Sequence, residues 1–422
     1  MKSIVRAAFV AGLLSSATFA LAPVAASAAD TPKLTREVQN DLAGAQKAMQ
    51  ANDYATALAN VQKAQAVSDL TPYDQYMINT FLAEIYIGQK DYANATAPME
   101  AAADSPAIPD DQKKQTFFNA FQLAMNAKHY QKAATYGAQL VAINALDANG
   151  YAMLAEAYYQ TQDFAHAQQY AQKSIDMAKA AGQAPNQGAL VIVYNSEVKQ
   201  NNKGDAAKTM EDMAVNYNDA DDWARLSDIA LTTKGIQDID VMYILRQRLL
   251  IPEAMSPEDY TALASAADTK GYSTEAFNVL QKGISAGKIT AAKAGQLYAH
   301  AKSGAATDAR DLSQIAASAE KSKTGEQDIK LAEDYWGYGR FADVETAARR
   351  AISKGGLKDP SEGPMVLGMA LVAQGKYDEG IQALSQVSGS AARNAAAHLW
   401  TLYAKAQQKK AGATAQTPAP AH

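Results

Sequence analysis

The 422 residues contain no cysteine. A disulfide framework, a thiol nucleophile and a lipid-modified N-terminal cysteine are thereby excluded. Glycine (25) and proline (13) are scarce while alanine is abundant, the composition of an ordered helical chain. Past the first two dozen residues there is no long apolar run, and the mean hydropathy of −0.27 argues against a polytopic membrane protein and against any integral membrane span. Positive charge is also in deficit. With 39 basic against 44 acidic residues, a formal net charge of −5, nucleic acid and anionic lipid are poor candidates for the main partner.

What is present begins with an export signature. Lys2 and Arg6 precede an apolar, alanine-rich stretch at 7–22, Pro23 breaks it, and Ala26-Ser27-Ala28 supplies small residues where a signal peptidase reads. Residues 1–28 are expected to be a signal peptide and the mature chain to start at Ala29 or one residue later. Cleavage would remove two basic residues and no acidic one, making the balance more negative still. A periplasmic protein is the expectation.

A short phrase then recurs. Asn52-Asp53-Tyr54-Ala55-Thr56-Ala57 returns as Lys90-Asp91-Tyr92-Ala93-Asn94-Ala95, Lys128-His129-Tyr130-Gln131-Lys132-Ala133 and Gln162-Asp163-Phe164-Ala165-His166-Ala167. Gly339-Arg340-Phe341-Ala342-Asp343-Val344 and Gly375-Lys376-Tyr377-Asp378-Glu379-Gly380 follow near the C-terminus. The aromatic residues are spaced 38, 38 and 34 apart, and later 36, a period that marks stacked helical hairpins. In the first unit Leu42, Ala45, Ala48 and Met49 fall on one helical face. Asn52-Asp53 turns the chain, and Tyr54, Ala57, Leu58, Val61 and Ala64 make a second face. The recurring aromatics, Tyr54, Tyr92, Tyr130 and Phe164, are expected to be buried core. Pro and Gly in 103–112, 182–188, 252–258 and 355–364 end helices.

These residues resemble the tetratricopeptide repeat (TPR). The nearest matches are Leu154, Ala155, Tyr158, Phe164, Ala167 and Ala171, and then Leu331, Ala332, Tyr335, Phe341, Val344, Ala348 and Ala351. The resemblance implies an all-α fold, a right-handed superhelical solenoid of roughly ten hairpins over 33–390. A C-terminal capping helix at 391–410 and a disordered tail at 411–422 would complete it. It is uneven. Gly204 replaces the aromatic, 239–250 is atypical for a second helix, and 290–322 is weakly patterned.

Strings that suggest chemistry fail on context. Gly283-Ile284-Ser285-Ala286-Gly287 fits a serine nucleophile elbow, which needs a strand before the serine, but Ala276, Val279 and Leu280 precede it at helical spacing. Gly337-Tyr338-Gly339 likewise follows a helix, not the strand a dinucleotide fingerprint requires. His129, His166, His300, His398 and His422 show no metal-ligand spacing, and Asp219, Asp221 and Asp222 lack the glycine and glutamate of a calcium loop. They read as a helix start before Trp223. His129 and His166 are expected on the solvent side. No catalytic set, no metal and no cofactor is expected, and a hydrolase at Ser285 is a remote alternative.

The resemblance further implies a concave groove lined by the first helix of each hairpin. One row of groove positions is Glu84, Gln122, Glu156, Ser196, Asp228, Glu333 and Met369. Three residues on lie Ile87, Met125, Tyr159, Lys199, Leu231, Trp336 and Val372. The candidate partner-binding set is Glu84, Gln122, Glu156, Tyr159, Asp228, Glu333 and Trp336. Its acidity disfavours capture of an acidic C-terminus and suits a basic or hydrogen-bonding extended partner, with Tyr159 or Trp336 as anchor. The expected function is a non-catalytic scaffold or adaptor for a protein or extended peptide, such as a component of an envelope assembly. Binding of glycan or cell-wall fragments along the tyrosine-rich surface is the alternative.

Overall fold

The computed structural model describes residues 32–415; the expected signal peptide at 1–28 and the end of the expected tail lie outside them. Among the described residues there are twenty α-helices and no strand, so the expected all-α stack of hairpins with a final helix is what the structure shows. The chain divides at residues 202 and 203 into two compact units.

The recurring phrase is a helix-to-helix joint with three working parts. Its first residue takes a left-handed backbone: φ is 57° at Asn52, 60° at Lys90, 62° at Lys128, 64° at Gln162, 69° at Gly339 and 78° at Gly375. That conformation lets the next residue's N–H reach back to close the preceding helix. Asp53 N–H donates to Ala48 O (2.9 Å), Asp91 to Tyr86 (2.8 Å), His129 to Ala124 (2.8 Å) and Asp163 to Tyr158 (2.9 Å). The same residue, where it is Asp, caps the following helix: Asp53, Asp91 and Asp163 accept from the backbone N–H of Thr56, Asn94 and His166. The aromatic comes third and opens that helix.

It is only half-buried at Tyr54, Tyr92, Tyr130, Phe164, Phe341 and Tyr377, a correction to its expected burial. At the end of a hairpin one ring face packs and the other meets solvent. Tyr54 lies over Gly88 of the next hairpin so closely that a Cβ there would sit 2.5 Å from the ring.

Unit 1 stacks the hairpins α1 (Arg36–Gln50)/α2 (Tyr54–Gln65), α3 (Pro72–Gly88)/α4 (Tyr92–Ala103), α5 (Lys113–Asn126)/α6 (Tyr130–Ala142) and α7 (Ala148–Gln160)/α8 (Phe164–Ala180). Helix α9 (Gln187–Lys199) packs on α8 and α7. Each hairpin touches its neighbours in sequence, as a repeat stack must. The core holds the expected Leu42, Ala45, Ala48, Ala57, Val61 and Ala64, continuing through Phe81, Ile85, Met99, Phe121, Leu123, Leu140 and Leu154. Alanines at the contacts let helix axes approach closely. Asp74 ties two hairpins together by accepting from the Thr35 N–H (2.9 Å) while closing a capping box with Thr71.

Unit 2 is built differently. It contains α10 (Lys203–Tyr217), α11 (Ala220–Leu231)/α12 (Asp238–Leu249), α13 (Pro257–Thr269)/α14 (Ser273–Ser285), α15 (Ala291–Lys321), α16 (Glu326–Gly337)/α17 (Phe341–Lys354), α18 (Glu362–Ala373)/α19 (Tyr377–Leu384) and α20 (Ala391–Ala415). The weakly patterned stretch at 290–322 is one long helix, interrupted near its start by Gly295 (φ 51°, ψ −129°). It presents few apolar residues because most of its circumference faces solvent. Helix α20 runs to Ala415, past the expected end at 410, so the first residues of the expected tail are helical.

Helix α20 does more than cap the last hairpin. It packs against α19 and α18 and also against α10, α11 and α12 at the start of the unit. Trp400 on α20 is fully buried and donates its Nε1–H to Tyr243 O on α12 (2.8 Å). Helix α12, the atypical segment at 239–250, is buried nearly all round, which removes the one-sided pattern that a surface helix shows.

Candidate interaction site

The seven groove candidates separate into two environments. Glu333 and Trp336, on α16, are 1% and 8% exposed. No partner can reach them, and their expected place in a binding groove is corrected on that ground. Glu333 Oε2 lies 2.6 Å from Arg246 Nη1, and its Oε1 accepts from the Tyr243 hydroxyl (2.9 Å). Trp336 packs edge-on to Trp400 (centroids 5.8 Å) and sits 5.0 Å from the Arg246 guanidinium. Asp228 is exposed, but is already ion-paired with Arg248 Nη1 (2.7 Å). The first-helix row of α16 is therefore covered from within the unit, by α12 and α20.

Arg246 is the centre of this covering. Its side chain has no solvent exposure, grips Glu275 with two nitrogens (2.7 and 2.5 Å) and holds Glu333 with a third. A planar guanidinium is the one cation that can satisfy two carboxylates in a fixed fork. The pair of acids in turn raises its pKa above the usual range, opposing its burial. Arg393 on α20 repeats the device. It is 3% exposed, donates from Nε to Asp240 Oδ1 on α12 (2.7 Å), and from Nη1 to Asp359 Oδ2 (3.0 Å) and Ser361 Oγ (2.9 Å). Two half-buried acids nearby have no cation of their own. Burial, with the charges of Asp308 and Glu333, pushes Asp334 up to about 7. Burial and Glu333 push Glu362 to about 7 despite Arg393.

Of this network the sequence reading named Glu333 and Trp336, and those as groove positions; Arg246, Arg393 and their other partners were not named. The available signal was Arg246 and Arg248 set between the apolar runs Val241-Met242-Tyr243-Ile244-Leu245 and Leu249-Leu250-Ile251, since arginine in such a segment demands a partner.

The remaining candidates, Glu84, Gln122, Glu156 and Tyr159, all belong to unit 1, at matching positions of α3, α5 and α7. All four are half-buried. Glu84 makes no hydrogen bond or ion pair, and burial alone pushes its carboxyl up to about 7. Gln122 Oε1 is enclosed and accepts no hydrogen bond. Glu156 accepts only from Gln160 Nε2, one turn on (2.6 Å). Tyr159 packs edge-on to Phe164 (5.5 Å), and Lys199 Nζ lies 3.8 Å from the Phe164 centroid and 5.7 Å from that of Tyr159. Ile87 and Met125, from the second row, are half-buried beside them. The row is thus acceptors flanked by apolar surface. Ser196, the next member on α9, is fully buried and ends it.

Other sequence expectations can be placed. Ser285 is the exposed last residue of α14, with a helix and no strand before it, so it does not stand on a nucleophile elbow. Gly339 sits in a hairpin joint. Asp219 caps α11 by accepting from Asp221 N–H (2.9 Å). His129 and His166 are exposed as expected, paired with Glu100 (2.8 Å) and Asp163 (2.7 Å). Tyr151, Tyr170, Tyr158 and His166 form a stack on α7 and α8, at 6.1, 5.5 and 5.0 Å between successive centroids. Their faces are turned to one another. Among the described residues no cluster of His, Asp and Glu could hold a metal ion, and no helix is long and apolar enough to cross a membrane.

Residues 148–180, the hairpin α7/α8, match the family model of the tetratricopeptide repeat. This is one of the two hairpins whose residues most resemble the repeat. Two solved structures are similar over most of the chain. One is a complex of Naa15/Naa10 bound to HypK-THB, with 12% identity and a TM-score of 0.24 over 89% of this chain and 73% of that one. The other is the TPR domain of P58(IPK), with 10% identity and a TM-score of 0.22 over 88% and 99%. At such scores the likeness adds nothing to what the helices themselves show. No curated protein matches the chain.

Proposed function

We propose that the protein is an exported, non-catalytic scaffold that holds an extended segment of another protein against the first-helix face of unit 1. The observation that carries this reading is the contrast between the two units. The first-helix face of α16 is filled by the chain's own Arg246, Tyr243 and Trp400, whereas Glu84, Gln122, Glu156 and Tyr159 stay half-exposed. The N-terminal charge, apolar run and small-residue box support export to the periplasm.

The test is a photo-crosslinking residue in place of Met125 in the full-length protein, expressed in its own cell. A reproducible protein adduct is expected from this position and none from a residue on the exposed turn at Lys128. No adduct, or equal adducts from both, would overturn the reading. Recovery of the chain in the periplasmic fraction beginning at residue 29 or 30 checks export. The glycan reading stands second, because the stacked tyrosines leave few free ring faces for sugar.

A further inference from the structure

Helix α20 holds both ends of unit 2 along most of its length. Arg393 joins Asp240 of α12 to Asp359 and Ser361, just before α18. His398 Nε2 meets Glu211 Oε1 of α10 at 2.9 Å, and Tyr403 packs edge-on to Trp223 of α11 with centroids 6.0 Å apart. Gln408 donates to Asp378 of α19 at 2.6 Å. Helix α12, gripped by α20 in this way, is in turn tied to the middle of the unit. Its Arg248 pairs with Asp259 of α13, and its Arg246 with Glu275 of α14 and Glu333 of α16. Helices α13 and α14 are not among those that α20 packs against.

From this we infer that unit 2 is one cooperative body latched by α20. Its helices are stable together with α20 in place and open together without it, whereas unit 1 opens hairpin by hairpin. In a linear stack an end hairpin can leave while the others keep their contacts. Unit 2 has no end from which to begin. Removal of α20 strips Asp240, 2% exposed, of its cation and the Tyr243 carbonyl of the Trp400 donor. Buried polar groups left without partners are costly, so α12 does not hold its place. Because α12 carries the cations of Asp259, Glu275 and Glu333, its loss orphans acids on α13, α14 and α16 in turn. The damage thus reaches helices that α20 does not pack against. Since α20 is the last helix made, the earlier helices of the unit gain their stability only when the chain is nearly complete.

The test is native-state hydrogen exchange read by mass spectrometry on the full-length protein, and the decisive segments are α13 and α14. Trp400→Ala should speed the slowest amides of α12, α13, α14 and α18 by one common factor of about a hundredfold or more, as truncation of a buried tryptophan warrants. Trp400→Phe removes the Nε1–H donor but keeps an aromatic ring. It should give the same pattern with a smaller common factor, and it decides the matter if the alanine variant leaves unit 2 unfolded. In unit 1, Leu42→Ala should speed α1 and α2 and leave α7 and α8 at wild-type rates. Faster exchange confined to α20 and its packing partners, with α13 and α14 unchanged, would overturn the inference. So would α7 and α8 speeding in step with α1 and α2.

Discussion

Replacing Arg246 with alanine should be the most damaging single change in unit 2, and its pH dependence should identify the cause. The side chain is wholly enclosed and supports Glu275 at 2.7 and 2.5 Å and Glu333 at 2.6 Å. Its loss leaves two carboxylates, 3% and 1% exposed, with no cation. Breaking a buried pair from one side typically costs about 3–5 kcal/mol, because the orphaned charge stays desolvated; loss of packing beside Trp336 adds to this. Burial already pushes the Glu275 carboxyl above its usual range, with Arg246 pulling the other way. Without Arg246 the folded-state pKa rises further. A carboxyl whose folded pKa exceeds its unfolded one binds more protons when folded, so its penalty grows as pH rises through that interval and shrinks as pH falls. Urea unfolding of Arg246→Ala should therefore show a deficit against wild type that is larger at pH 8 than at pH 5.5. Adding Glu275→Gln and Glu333→Gln should remove most of that pH dependence. A deficit below about 1 kcal/mol at pH 8, or one independent of pH, would refute the assignment of Arg246 as the charge-balancing centre.

Other consequences are more local. Glu84 and Glu362, raised from 4.5 to about 7 by burial first, and Asp334, raised from 3.8 to about 7, should together withdraw a few kcal/mol at most, on the order expected after solvent screening, as pH climbs from about 4.5 to 8. The triple amide variant should flatten that slope in denaturant titrations at several pH values, and an unchanged slope would contradict it. Lys128, held at φ 62°, should gain roughly 1 kcal/mol of stability as Lys128→Gly, since a left-handed backbone costs a side-chain-bearing residue about that much; a lower thermal midpoint would count against the joint described. Asp163→Ala removes the cap on α8 and should cost about 1 kcal/mol, read in the same melts. Gly368→Leu should prevent α18 from packing, because even a Cβ there would lie 2.5 Å from Leu384 Cγ.

The hairpin stack was legible because its signal is local and repeated. The joint's left-handed residue, capping aspartate and aromatic are consecutive in sequence, and the apolar faces of α1 and α2 follow from spacing alone. The same register places Glu84, Gln122 and Glu156 at matching positions of α3, α5 and α7. What the sequence did not reveal is that α20 returns to α10, α11 and α12. Arg393 and Asp240 meet across 153 residues, and Trp400 and Tyr243 across 157; no periodicity encodes such pairs. Glu333 and Trp336 hold the same repeat positions as Glu156 and Tyr159, and only that distant contact decides that the first two are sealed and the second two are open.

The two ways of stacking also set how each half can change length over evolution. In unit 1 every hairpin meets only the one before and the one after, so duplication or deletion of a whole hairpin, joint included, leaves the remaining contacts as they were. Unit 2 has no such freedom. An added hairpin anywhere between α12 and α20 would carry Arg393 out of reach of Asp240 and Trp400 out of reach of Tyr243. The first half is a segment that can be counted in repeats, and the second is a closed figure with a fixed number of sides.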